Sequence, residues 1–307
     1  MSEGLMLSTS WKSSKVSTVE ELVKGLENLS ISGIELEYRV RESILKGLRK
    51  ELRSMGIPVI SIHNFFPLPD DVPISKASGD LFLLSHTDKE ERLQAVKWTI
   101  RTLEHADNLE ARFVVIHGGK IDMDPEIDII FEWYKNNILN SEKAQEFIKG
   151  KLKEREKKKG KHLDALLWSL ERLVKTAEKY NIYLGLENRA YYHELPGPQE
   201  FSTIFAEFEG APLGYWHDTG HAHINTVIGF SEHKTLLKTY RTQLIGIHLH
   251  DAKGVEDHLP PGSGEISFSE ITAELAEGTP KVIELKPGTP DNEVARSLSY
   301  LAKLQRD

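Results

Sequence analysis

Cysteine is absent from the 307 residues. That absence excludes disulfides, thiolate metal sites and cysteine nucleophiles together. Long apolar runs are absent too, and with none of about 18 residues no transmembrane helix is expected. The opening stretch "MSEGLMLSTSW" has no basic segment followed by a long apolar one, so no secretory signal is expected and a cytoplasmic location is. Positive charge is in short supply. Lys and Arg total 39 against 47 Asp and Glu, a net −8. Such a chain repels a phosphate backbone unless its basic residues gather on one face. The densest basic run, "KGKLKEREKKKGKH" (149–162), is interleaved with glutamate and reads as a solvated helix face. No glycine-rich turn follows the first apolar run, "LMLSTSWKSS", which argues against a doubly wound nucleotide-binding sheet.

What the chain does have is a repeating alternation. Eight short β-type runs recur: "LMLSTSW" (5–11), "GIELEY" (33–38), "PVISIHNF" (58–65), "RFVVIHGG" (112–119), "IYLGLEN" (182–188), "PLGYWHD" (212–218), "LIGIHLHD" (244–251) and "KVIELK" (281–286). Amphipathic stretches separate them, the clearest at 18–29, 41–55, 90–109, 163–180 and 292–305. In the first, Val19, Leu22, Val23, Leu26 and Leu29 fall on one helical face, with Ser17 or Thr18 as cap. The β runs are continuously apolar, as strands buried on both faces must be. Eight such strands alternating with helices predict a (β/α)₈ TIM barrel forming a single domain over 1–307. A helical insertion is expected after the fourth strand at about 121–162, carrying Trp133 and Tyr134 toward the barrel mouth. A long loop at 67–90 follows the third strand.

The strand ends carry the chemistry. Strands three to eight end at His63, His117, Glu187, Asp218, His248 and Glu284. In a barrel these C-terminal ends converge on one mouth. Buried imidazoles and carboxylates need partners, and a divalent cation is the natural common one. Mixed nitrogen and oxygen donors suit Mn, Zn, Co or Fe better than Ca or Mg. His217 alternates with Asp218 and is expected to turn away from the mouth, into the scaffold.

The segments "LEN" (186–188), "HDTGHA" (217–222), "IHLHDAKG" (247–254) and "IELK" (283–286) resemble the xylose-isomerase-like barrel superfamily, in order and along nearly the whole chain. That superfamily includes sugar and sugar-phosphate isomerases and epimerases, inosose dehydratases and the endonuclease IV family. The resemblance to the isomerases implies one divalent transition metal held by Glu187, Asp218, His248 and Glu284. Glu187 and Glu284 would then act as the catalytic acid–base pair, moving a proton α to a carbonyl through a metal-stabilised enediolate. His221, His250 and Lys286 are the expected substrate contacts. The resemblance to endonuclease IV implies an alternative: a cluster of two or three zinc ions for phosphodiester cleavage, adding His63, His117, His221 and His258. The acidic partner of His258 falls at Glu256, with Asp257 one residue away. The loops "PLPDDVP" and "KIDMDPEID" are acidic, so the expected substrate is a small polyol, sugar or sugar phosphate rather than nucleic acid. No membrane partner is expected, and an oligomer is compatible with the sequence.

Overall fold

The computed structural model describes residues 4–304. Eight parallel strands close into a barrel in which neighbours in sequence are neighbours in space and the eighth pairs with the first. They span Leu5–Ser8, Gly33–Leu36, Val59–His63, Phe113–Ile116, Tyr183–Glu187, Leu213–Asp218, Leu244–Leu249 and Lys281–Ile283. Every β-type run became a barrel strand, shorter than its apolar stretch because pairing stops where the chain bends into a loop.

Inside the barrel, Met6, Phe113, Val115, Trp216 and Val282 form a small apolar plug with Ile60 and Ile245. The larger core lies between the strands and the helical layer outside them. Gly185 and Gly246, on the strands flanking that of Trp216, make room for its indole. A Cβ on Gly185 would lie 2.8 Å from the ring, and one on Gly246 would overlap it. The indole thus takes space that two side chains would otherwise fill, and it forms a flat floor beneath the mouth.

The helices depart from their expected lengths where glycine intervenes. The first is only Val19–Val23, because Gly25 takes φ 87° before a short 3₁₀ turn at Leu26–Asn28. Thr18 caps it, accepting from the Glu21 N–H. Gly47, at φ 92°, splits the stretch 41–55 into a 3₁₀ turn (Glu42–Leu45) and a helix (Leu48–Ser54). The stretches 90–109 and 292–305 appear as Lys89–Asn108 and Asp291–Leu304, with residue 305 outside the described residues. The run 163–180 is the second half of one 39-residue helix, Glu142–Tyr180, whose first half takes up half of the insertion. None of the described helices is long and apolar enough to cross a membrane.

That long helix carries the basic run, and several of its charges are paired within the protein. Arg155 is buried, with its guanidinium on both oxygens of Glu200 and on the Tyr192 carbonyl. Lys151, Lys158 and Lys159 pair with Glu126, Glu154 and Glu156. His162 is also buried, bonded to Ser85 O and Asp122 N. The run is therefore solvated only in part. In the insertion, Trp133 packs edge-on against Phe147, and Tyr134 lies on Gly254 at the tip of a loop beyond the seventh strand.

Candidate metal centre

Strand alternation decides which residues share the barrel mouth. Glu187, Asp218, His248 and Glu284 occupy inward positions at the ends of four consecutive strands, and Asp218 is in register with His248. All four are buried, and one ligand atom from each lies within 4.8 Å of the others. The imidazole sits at the centre. His248 Nδ1 is 2.6 Å from Glu187 Oε1, 3.2 Å from Glu284 Oε2 and 3.8 Å from Asp218 Oδ2. Trp216 meets the His248 ring edge-on at 5.3 Å, so the plug supports the ligand directly.

Burial alone would raise the pKa of all three carboxyls, and here it is overcome. His248, bonded to Glu187 Oε1, together with the nearby His117 and His63 rings, holds Glu187 well below the usual carboxylate range. His221 and His250 lower Asp218, and His248 and His258 lower Glu284. In return, Glu35, Glu284 and Glu187 raise the pKa of His248 well above its usual value against the effect of burial. The donors are thus ionised carboxylates gathered around a cationic ring, an arrangement that favours a cation.

A second set, His63, His117 and Glu187, adjoins the first through Glu187. Glu187 Oε2 is buried, lacks an aligned hydrogen bond and lies 2.9 Å from His117 Nε2 and 3.7 Å from His63 Nε2. Two residues from outside the expected list enter here. Arg189 Nη1 approaches His117 Nε2 at 2.5 Å and Glu187 Oε2 at 3.5 Å, while its Nη2 binds Asp80 and Glu194. Asp80, from the long loop after the third strand, also faces His117 Nδ1 at 3.2 Å. The loop reaches this point through Gly79, whose Cα lies so close to the rings that a Cβ would overlap His117 and come within 2.9 Å of His63.

On the other side of Asp218 stand His221, Asp257 and His258, again within 4.8 Å. Asp218 caps the helix Thr219–Val227 by accepting from the His221 N–H at 2.7 Å. Asp257, not Glu256, is the acid beside His258, at 3.1 Å; Glu256 instead pairs outward with Lys286 at 2.5 Å. His258 adopts φ 53°, an unfavourable value for a residue with a Cβ, and this stacks its ring on His250 at 4.0 Å. Burial would lower its pKa, but Asp257 and Glu284 raise it to about 9. His250 is fully buried. Its Nδ1 accepts from the His258 N–H, so its Nε2–H donates to Asp218 Oδ2 at 2.8 Å. It orients a candidate ligand, and neither nitrogen is left over for substrate. Asp251, the last residue of the seventh run, accepts from the backbone of Ala252, Gly262, Gly264 and Ile266 and so shapes the loop at 259–268. His217 lies within the helical layer, between Tyr215 and His233.

The first set fits a divalent transition ion well: four mixed donors, an orphaned carboxylate oxygen beside them and hydrogen-bonded outer partners for the ligands. The comparisons with known proteins agree at the level of the fold. The sequence model of a family described as a xylose isomerase-like TIM barrel matches residues 25–304. An uncharacterized protein of Methanocaldococcus jannaschii is 34% identical over 178 residues, covering 57% of this chain and 50% of that one. The chain thus matches only half the length of that curated relative. A D-tagatose 3-epimerase-like protein superposes with TM-score 0.69 at 20% identity, covering 99% of this chain and 97% of that one. A D-allulose 3-epimerase from Methylomonas sp., solved with D-allulose, gives 0.70 at 11% over 98% and 96%. The 3-keto-D-glucoside 4-epimerase of E. coli gives 0.67 at 14% over 99% and 98%.

Proposed function

Because the chain belongs to the xylose isomerase-like TIM barrel family, we propose that it is a metal-dependent isomerase or epimerase of a small sugar or sugar phosphate. The observation that carries the reading is the set Glu187, Asp218, His248 and Glu284, with two glutamates from the fifth and eighth strands at the two ends of the donor arc. The bound divalent ion would polarise a carbonyl and stabilise the charge of an enediolate. The protein's own residues supply the proton handling. One glutamate removes the proton α to the carbonyl, and the other returns a proton from the far side of the arc. His250 and the cap at His221 keep Asp218 turned toward the donors. His63, under Tyr38, and His117, held between Asp80 and Arg189, face Glu187 and are suited to binding substrate hydroxyls. Of the solved structures superposed above, two are sugar epimerases and one is epimerase-like, which agrees with this class.

A second reading, a two- or three-zinc phosphodiesterase, is favoured by the further donor sets, which include Asp218, His250, His258 and Glu284 as well as the two described above. Arg189 speaks against it, because its guanidinium already supplies a positive charge between His117 and Glu187. The test is elemental analysis of the purified chain together with deuterium uptake from D₂O into a panel of ketoses. The expected result is one transition ion per chain and exchange that Glu187→Gln and Glu284→Gln each abolish. Cleavage of abasic DNA without exchange into any ketose would overturn the proposal.

A further inference from the structure

We propose that Glu35 is a positioning residue that decides which nitrogen of His248 faces the ion; this rests on the single-ion reading above. Glu35 belongs to the second strand and is fully buried. It spans the barrel interior to the seventh strand, placing its two carboxylate oxygens 3.2 and 3.1 Å from His248 Nε2. Ser61, its register partner on the third strand, donates to Glu35 Oε2 at 2.8 Å. Glu35 is in none of the candidate donor sets.

A buried carboxylate without partners is costly, and those of Glu35 are one hydroxyl and one imidazole. Its placement therefore makes chemical sense through His248. A carboxylate only accepts, so it fixes the proton on Nε2. That leaves Nδ1, whose proton the ion would displace, directed at Glu187, Glu284 and Asp218. A carboxylate on the far nitrogen also makes the imidazole a better ligand. The ring cannot easily turn to escape this choice. Trp216 meets it edge-on at 5.3 Å, and His63 stacks parallel to it at 5.9 Å.

Glu35→Gln keeps the shape and removes the preference, because an amide can donate to Nε2 as well as accept from Nε2–H. The tautomer protonated on Nδ1, which cannot ligate, becomes accessible. The experiment titrates the metal-free chain with Co²⁺, following the visible ligand-field bands, and records the His248 ring-nitrogen shifts of ¹⁵N-labelled protein with diamagnetic Zn²⁺ added. For Glu35→Gln the expected Kd is about 10- to 100-fold weaker than wild type, the usual loss when an outer partner of a ligand is removed. With Zn²⁺ added, the ¹⁵N pattern of the variant is expected to move from Nε2–H with a metal-bound Nδ1 toward Nδ1–H, a change that loss of packing alone does not produce. Ser61→Ala, which leaves the carboxylate in place without its anchor, is expected to weaken Co²⁺ about two- to tenfold and serves should the first variant not fold. A Co²⁺ affinity within about twofold of wild type for Ser61→Ala, together with one within about threefold for any folded Glu35→Gln, would overturn the inference. Failure of the wild-type chain to bind Co²⁺ at all would instead overturn the single-ion reading on which it rests.

Discussion

The floor of the site can be tested through one pair of residues, Trp216 and Gly246. Trp216 is fully buried in the interior plug, and a Cβ built on Gly246 would overlap its ring. Trp216→Ala should cost about 3–5 kcal/mol, as large-to-small substitutions at rigid core positions do. Gly246→Ala should cost about 1–3 kcal/mol, because strands paired on both sides cannot move apart to admit a methyl group. In the double variant the methyl enters space that the indole has vacated, so the second cost nearly vanishes. The coupling energy is then about 1–3 kcal/mol, with the double variant more stable than the sum of the singles predicts. Equilibrium urea unfolding of the metal-free protein, followed by circular dichroism, measures all four corners. Because Trp216 also packs against His248, both single variants should weaken Co²⁺ binding alongside stability. Additivity within about 0.5 kcal/mol would refute the argument that the glycine exists to admit the indole.

Two further outcomes follow from charges placed by the fold. Glu37 is fully buried, and burial raises its pKa to about 7 despite Arg39 and Ser13. The folded state therefore keeps a proton that the unfolded chain releases near its ordinary value of 4.5, so this contribution to stability is complete below about pH 4.5 and is lost as pH rises toward 7. Relative to Glu37→Gln, the wild type should lose up to about 3 kcal/mol across that window, at about 1.4 kcal/mol per pH unit, measured by urea unfolding; parallel pH profiles would contradict it. Arg189→Gln removes the cation that occupies the His63–His117–Glu187 set, and its metal content should rise from one ion to two. An unchanged count in a folded variant would mean that something other than the guanidinium keeps that set from binding metal.

The barrel was legible because buried parallel strands leave a simple trace, continuous apolar runs ended by a polar residue. The same trace led to Glu187, Asp218, His248 and Glu284, since the rule that strand ends meet at the mouth needs no knowledge of loops. Reading only strand ends also explains what was missed. Glu35 sits one residue before the end of its strand and reaches inward across the barrel. Its signal was a carboxylate inside a run whose strand residues are all buried. Asp257 was hidden by an irregular hairpin. Strand alternation would place Glu256 and His258 on one side, but the register shifts between Asp251 and Lys253, and His258 turns to φ 53°. That brings Asp257 to His258 and sends Glu256 out to Lys286. Asp80 lies in a loop with no periodicity to place it, and only Gly79 beneath two histidine rings explains its approach.

The electrostatics of the mouth join these pieces. Glu187, Asp218 and Glu284 are all held below the ordinary carboxylate range, so three negative charges are buried within a few ångströms of one another at neutral pH. Like charges at about 4 Å repel by about 4 kcal/mol per pair at the effective dielectric constant near a protein surface. Protonated His248 neutralises one of the three and leaves two. Arg189 reaches only Glu187, from the side away from the donor centre, and is largely committed to Asp80 and Glu194. A single divalent ion held by Nδ1 would displace the imidazolium proton, so the three carboxylates and the ion would together carry one net negative charge. Two more divalent ions would have to displace that guanidinium and the Asp257–His258 pair, each of which already satisfies its own set. One ion would thus reduce the buried charge without disturbing either neighbouring set, and one ion with two flanking glutamates is the arrangement that the proposed proton transfer on a sugar requires.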